Sequence, residues 1–144
     1  MGEAEEVLDS AVGWVAEHTR RYVETNGEDG HLWRGVPTLL LTTRGRRSGK
    51  LRRTALIYGR DRDRYLVVAS KGGAARHPDW YLNLVADPSV RVQVGPDKFA
   101  ARATTARPEE KARLWRVMAS IWPAYDEYQT RTRREIPVVV LERA

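Results

Sequence analysis

Six cationic side chains, two glycines and no carboxylate lie between Arg44 and Arg53, in the run Arg-Gly-Arg-Arg-Ser-Gly-Lys-Leu-Arg-Arg. Arginine forks grip phosphate or carboxylate oxygens in pairs, and a glycine-containing turn lets backbone N–H groups approach a ligand. The chemistry this composition suits is anion binding. A solvated, positively charged hairpin tip is the alternative reading of the same residues. The run is not a nucleotide-hydrolase phosphate loop. Three residues separate Gly45 from Gly49, Leu51 stands where a hydroxyl would hold magnesium, and a strand pattern follows instead of a helix.

Two further segments carry chemistry-bearing residues. Ser70-Lys71-Gly72-Gly73, followed by His77-Pro78-Asp79-Trp80-Tyr81-Leu82-Asn83-Leu84, sets a strand end, a glycine-rich loop and a helix start in sequence. Exposed amides and helix N-termini bind anions or polar ring edges, whereas Trp80, Tyr81, Leu82 and Leu84 suit core packing. Trp122-Pro123-Ala124-Tyr125-Asp126-Glu127-Tyr128 concentrates three aromatics around a proline. These either line an apolar pocket for a planar ligand or cap the end of a barrel. His18, His31 and His77 have no partner at helical spacing, so no metal site is expected. The absence of cysteine removes disulfides, thiolate catalysis and cysteine-ligated metals.

These residues need elements to position them. Apolar positions at Val7, Leu8, Ala11, Val12, Val15 and Tyr22 predict an amphipathic helix over 7–23, ending before Asn26-Gly27. Residues 28–35 read as a linker. Strands are expected from Pro37 into the basic turn, over 54–60 and over 64–70, joined by tight turns as an antiparallel meander. A short helix over 78–85, strands over 90–94 and 98–106, a helix from Pro108 to about Ile121 and a last strand over 136–141 follow. The fold class is α+β, a single domain over 1–144. Its frame is a closed or half-closed barrel of about six mostly antiparallel strands with two or three flanking helices.

Charge narrows the partners. The net charge of +6 permits nucleic acid, an anionic membrane surface or an anionic small molecule. A nucleic-acid-binding barrel would interleave base-stacking aromatics with the arginines, but Trp115, Trp122, Tyr125 and Tyr128 lie far from them in sequence. No apolar run approaches a membrane span and the first residues are acidic, so a cytoplasmic protein without stable membrane insertion is expected. Glu5, Glu6, Asp9 and Glu17 disfavour anionic lipid under the first helix, which reads as a lid or packing helix with room left for peripheral contact.

Taken in order and spacing, four segments resemble the deazaflavin-dependent nitroreductase family of actinobacteria. They are Leu-Thr-Thr-Arg-Gly-Arg-Arg-Ser-Gly-Lys-Leu-Arg, Ala-Ser-Lys-Gly-Gly with Pro-Asp-Trp-Tyr-Leu-Asn-Leu, Trp-Pro-Ala-Tyr-Asp-Glu-Tyr-Gln, and Arg-Glu-Ile-Pro-Val-Val-Val-Leu, together covering about 37–143. The resemblance implies a split β-barrel of the flavin-reductase type and coenzyme F-420, an 8-hydroxy-5-deazaflavin with a polyanionic tail. FMN, or a deazaflavin carrier with little turnover, is the alternative. It implies cofactor-binding roles for Arg46, Arg47, Ser48, Gly49, Lys50 and Arg53, and for Ala69, Ser70, Lys71 and Gly72. Charge-assisted hydrogen bonds contribute roughly 1.5–3 kcal/mol each, so two or three would hold the tail. It also implies hydride transfer to a small-molecule electron acceptor, a quinone, nitroaromatic or similar conjugated compound. Trp122, Tyr125 and Tyr128 would form the acceptor wall, and Tyr125, Tyr128 or Ser70 would serve as hydroxyl donors. Trp122 departs from the tyrosine of the nitroreductase type, offering N–H in place of O–H. Monomer and homodimer both occur among such proteins.

Overall fold

Alternate residues of two strands divide the hydrophobic core in two. The structure, a computed structural model, describes residues 7–9 and 13–144. In β6 (Arg64–Val68), Tyr65 and Val67 point into a barrel with Leu39, Leu41, Val92, Ala101 and Ala103. Leu66 and Val68 point the other way, with Leu114, Met118 and Tyr125. In β9 (Val138–Arg143), Val139 and Leu141 join the first cluster, and Val138 and Val140 the second. Strands covered on both faces read as continuous apolar runs, which is why the Tyr-Leu-Val-Val and Val-Val-Val-Leu segments lack alternation. The second cluster lies under α3 (Pro108–Ile121) and α4 (Ala124–Thr130).

The remaining strands are β1 (Val7–Asp9), β2 (Leu32–Trp33), β3 (Val36–Arg44), β4 (Leu51–Ile57), β5 (Gly59–Asp61), β7 (Ser89–Val94) and β8 (Asp97–Thr105). They form one sheet in the order β1-β4-β3-β7-β8-β9-β6-β5, with β2 paired to β3. Apart from β1, which runs parallel to β4, every pairing is antiparallel. The six long strands are those expected, and the split-barrel architecture is the one anticipated. The sheet curls until β4 and β6 lie side by side without hydrogen-bonding to each other. That unpaired seam is the split of the barrel.

The expected meander is corrected at this seam. The single strand over 54–60 is two strands with different partners, because the chain turns away at Tyr58 and Gly59. A Cβ on Gly59 would sit 2.7 Å from Met118 Sδ and 2.9 Å from Ile121 Cδ1, so the glycine lets α3 press onto the backbone. The helix expected over 7–23 does not hold at its first three residues, and residues 10–12 of it lie outside those described. Val7–Asp9 pairs in register with Leu51–Arg53, and α1 spans Gly13–Glu24. Apolar Val7 and Leu8 suit a strand as well as a helix, and an available strand edge decides. The supposed linker contains a tight hairpin, with Arg34 (φ 50°) and Gly35 (φ 81°) at its tip between β2 and β3. The aromatic segment after α3 forms α4, which was not expected.

A short 3-10 turn (Lys71–Gly73) and α2 (Asp79–Ala86) close one end of the barrel, where Leu84 is buried and Trp80 and Tyr81 pack on the inner cluster. At the other end α3 is tied to the β5–β6 hairpin by ion pairs of Arg113 with Asp61 (2.8 Å) and Arg64 with Glu110 (3.2 Å). Among the described residues no helix is long and apolar enough to cross a membrane.

Candidate active site

The barrel split opens into a cleft with two lobes. The first, about 550 Å³, is basic: Arg46, Arg47, Arg52, Arg53 and Lys71 line it against two carboxylates, Asp9 and Asp79. The second, about 420 Å³, is aromatic. Trp33, Trp80, Trp122, Tyr125 and Tyr128 line it together with His18, residues 54–57 of β4, and Val68 and Ser70 from across the seam. Thr54, Lys71, Pro78 and Trp80 belong to both walls, so the lobes are one continuous groove.

The basic turn is rigid by its own hydrogen bonds. Gly45 N donates to Lys50 O (2.7 Å), Gly49 N to Gly45 O (2.8 Å), and Arg44 Nη1 to Gly49 O (2.8 Å). A Cβ on Gly45 would lie 2.7 Å from Ser48 Oγ, and that hydroxyl accepts from Lys50 N at 3.2 Å. Of the expected binders, Arg46, Arg47, Ser48 and Arg53 line the basic lobe, while Gly49 and Lys50 are exposed outside its lining. Arg46 is already engaged. Its Nη1 and its backbone N both donate to Asn83 Oδ1 (2.9 and 3.1 Å), and Nη2 reaches Asp79 Oδ1 at 3.3 Å. These bonds fasten the turn to α2. Arg53 pairs with Asp9. Among the described residues, the side chains of Arg47, Arg52 and Lys71 have no polar partner and remain available to an anion.

The loop after β6 brings Ser70, Lys71 and Gly72 to the aromatic lobe, while Ala69 is fully buried behind it. Three successive positive φ angles, at Lys71 (46°), Gly72 (62°) and Gly73 (83°), fold it back sharply. Gly73 lies against α4, where a Cβ would meet Tyr128 O at 2.5 Å; Gly72 faces open space. Arg134 holds this loop. Nε donates to Ala74 O (2.8 Å), Nη1 to Ala69 O (3.2 Å) and His77 Nδ1 (3.1 Å), and Nη2 to Ser70 O (2.7 Å). Arg134 was not singled out from sequence, because its partners, three backbone carbonyls and the His77 ring, lie 57 to 65 residues away.

Trp122, Tyr125 and Tyr128 line the aromatic lobe together. Trp122 Nε1 donates to Tyr128 Oη at 3.4 Å, so the indole proton is used internally and the Tyr128 proton stays free for a ligand. Burial pushes the Tyr125 phenol well above its ordinary range, with the neighbouring Tyr128 adding to it, so Tyr125 stays protonated. Ser70 is nearly buried at the seam. Trp33, from the β2–β3 hairpin, packs on Trp122 with ring centroids 5.3 Å apart and the planes tilted by 47°. Trp33 and His18, to which no sequence signal pointed, line the aromatic lobe. Trp80, read as a packing residue, packs on the inner cluster and also lines the cleft. Asn83, in the same segment, fastens the basic turn, since an asparagine inside an apolar helix face asks for a partner.

The order of elements, the groove and its charges agree with a family match. A family model for F420H2-dependent quinone reductases matches residues 14–143. The chain belongs to that family. An F420H2-dependent quinone reductase of Mycobacterium tuberculosis is 47% identical over 130 residues, covering 88% of this chain and 87% of its own. A solved structure described as a domain-swapped dimer is 40% identical with a TM-score of 0.71, covering 92% of this chain and 100% of that one. Another, an F420-H2 dependent reductase (FDR-A), is 41% identical with a TM-score of 0.68, covering 74% and 94%. As a member of the F420H2-dependent quinone reductase family, the protein is an oxidoreductase whose cofactor is coenzyme F-420 and whose acceptors are quinones.

Proposed function

We propose that the groove holds coenzyme F-420 with its anionic tail in the basic lobe and its ring at the seam, and the quinone against Trp122, Tyr125 and Tyr128. The observation that carries this reading is the shared wall of Thr54, Lys71, Pro78 and Trp80, which joins an anion site to a planar aromatic site. A deazaflavin has both parts, and unpartnered Arg47, Arg52 and Lys71 suit its tail. Bound there, the reduced deazaflavin supplies the hydride.

The chain's own residues bind, orient and stabilise. Arg47 and Lys71 compensate the tail, and Arg46 acts mainly by fixing the turn to Asn83 and Asp79. Gly72 leaves open space beside the cleft, so the backbone can be approached closely. The Tyr128 hydroxyl, freed by the Trp122 indole, donates to an acceptor oxygen as negative charge develops, with Ser70 and Tyr125 as further donors. Nitroaromatic acceptors fit the same wall by size and planarity. The likeness to a domain-swapped dimer favours a homodimer, and the absence of a spanning helix among the described residues suits a cytoplasmic enzyme.

The test is titration of the protein with oxidised F-420 and, separately, FMN, followed by ligand fluorescence. Tight F-420 binding that collapses in Arg47→Glu/Lys71→Glu supports the placement. Equal binding in wild type and the double variant refutes it.

A further inference from the structure

We propose that His18 is the proton donor to the bound quinone, fed from a second, outer cavity; this rests on the assignment of the aromatic lobe to the acceptor. His18 and Trp33 are shared by two cavities. One is the aromatic lobe. The other, about 230 Å³, lies on the outer side of α1 and is lined by Glu17, Arg21, Asp29, Gly30 and Leu32. The imidazole is half-buried and forms part of the partition between them.

Its hydrogen bonding engages one ring nitrogen and leaves the other open. Thr38 Oγ1 donates its one proton to Gly30 O at 2.6 Å, with His31 O behind at 3.1 Å. Toward His18 it is therefore an acceptor, and Nε2–H donates to it at 3.4 Å. Nε2 is thus engaged with Thr38, and among the described residues Nδ1 is the ring nitrogen left open to a second partner. Among the described residues lining the aromatic lobe, His18 is the only imidazole. Histidine is the side chain that ordinarily exchanges protons near neutral pH, whereas the Tyr125 phenol is held protonated by burial. The charged and titratable groups around the ring are Glu17, Arg21 and Asp29 on the outer side, Lys71, Tyr125 and Tyr128 on the inner side, and Tyr22 on its own helix, 6.5 Å away. Glu17 is ion-paired with Arg21 at 2.7 Å, and Asp29 makes no ion pair among the described residues.

The step balances. Reduction of a quinone to its quinol consumes one hydride and one proton. The reduced deazaflavin, when bound, would supply the hydride. The imidazolium Nδ1–H bond breaks, its pair returns to nitrogen, and the proton completes the quinol. Solvent reaching the outer cavity would return a proton to His18, and the second proton of the two-electron donor would leave to bulk water, so the exchange balances.

The experiment compares wild type with His18→Gln and His18→Ala, using F-420 and menadione. The expected result is unchanged F-420 affinity, kcat lower by about 100-fold, loss of the alkaline limb of the kcat profile, and partial recovery of His18→Ala by added imidazole. The second readout needs no turnover. The His18 Cε1–H NMR signal, identified by its loss in His18→Gln, should shift when menadione is added to protein holding oxidised F-420. An unchanged kcat profile in both variants overturns the proposal. So does an equal loss of F-420 affinity and kcat without imidazole rescue, which would make His18 a packing residue. Failure of the cleft assignment shows separately, as unaltered F-420 binding in Arg47→Glu/Lys71→Glu.

Discussion

Arg53 and Asp9 hold each other through two hydrogen bonds, Nε to Oδ1 at 2.7 Å and Nη2 to Oδ2 at 3.1 Å, and their Cα atoms are paired in the β1–β4 register. An acidic residue from the first strand thus occupies an arginine in the wall of the basic lobe. Asp9→Asn removes a negative charge from that wall and releases Arg53. The expected outcome is tighter F-420 binding, of the order of tenfold if one further charge-assisted bond of about 1.5 kcal/mol forms. Fluorescence titration measures it, and an unchanged or weaker affinity would mean Arg53 does not face the ligand.

Arg134 carries the loop that bears Ser70 and Lys71. Arg134→Lys keeps the charge but lacks the fork that reaches four acceptors at once. It should lose about 2–4 kcal/mol of stability, since several carbonyls lose their donor together. Hydrogen exchange over residues 69–77 should rise as well. Protection equal to wild type would show that the loop holds without its clamp.

Burial, and then the Arg134 charge, lowers the His77 imidazole below its ordinary 6.5. The folded protein therefore prefers the neutral ring. Above pH 6.5 both states are neutral and the full stability is present. As pH falls below 6.5 the unfolded chain takes up the proton more readily, and stability declines until the folded ring protonates too. Urea unfolding between pH 8 and pH 5 should show this slope, and His77→Gln should remove it. The same slope in the variant would assign it to another group.

Gly72 and Gly73 share a left-handed backbone but not an environment. Gly72→Ala meets open space and should cost about 1 kcal/mol from its positive φ alone. Gly73→Ala adds a 2.5 Å clash with Tyr128 O and should cost several-fold more, displacing α4 from the cleft. Paired thermal melts decide, with equal losses counting against the close approach.

Tyr128 has a free hydroxyl proton because Trp122 supplies its other hydrogen bond. Tyr128→Phe should leave F-420 affinity intact and lower kcat with menadione by about 100-fold, the scale of a lost donor at a developing oxyanion. A change confined to KM would make the residue a binding wall and nothing more.

What the sequence by itself determined is local or periodic. The six long strands, α2 and α3 follow from apolar runs, turn residues and the proline and acids that open α3. The basic turn, the glycine loop and the three aromatics were visible because their chemistry is concentrated within a few neighbours. Tertiary structure decided whatever depends on residues far apart in the chain. It broke the run over 54–60 at Gly59, because α3 needs to touch that backbone. It turned Val7–Asp9 into a strand, because β4 offered an unpaired edge. It also sorted the six cations of the basic turn, which composition treats as equals: Arg46 is bound to α2, Arg53 to Asp9, and Arg47 and Arg52 face the groove without partners. His18 and Arg134 gain their places only through contacts across twenty and more than fifty residues, a separation no local pattern records.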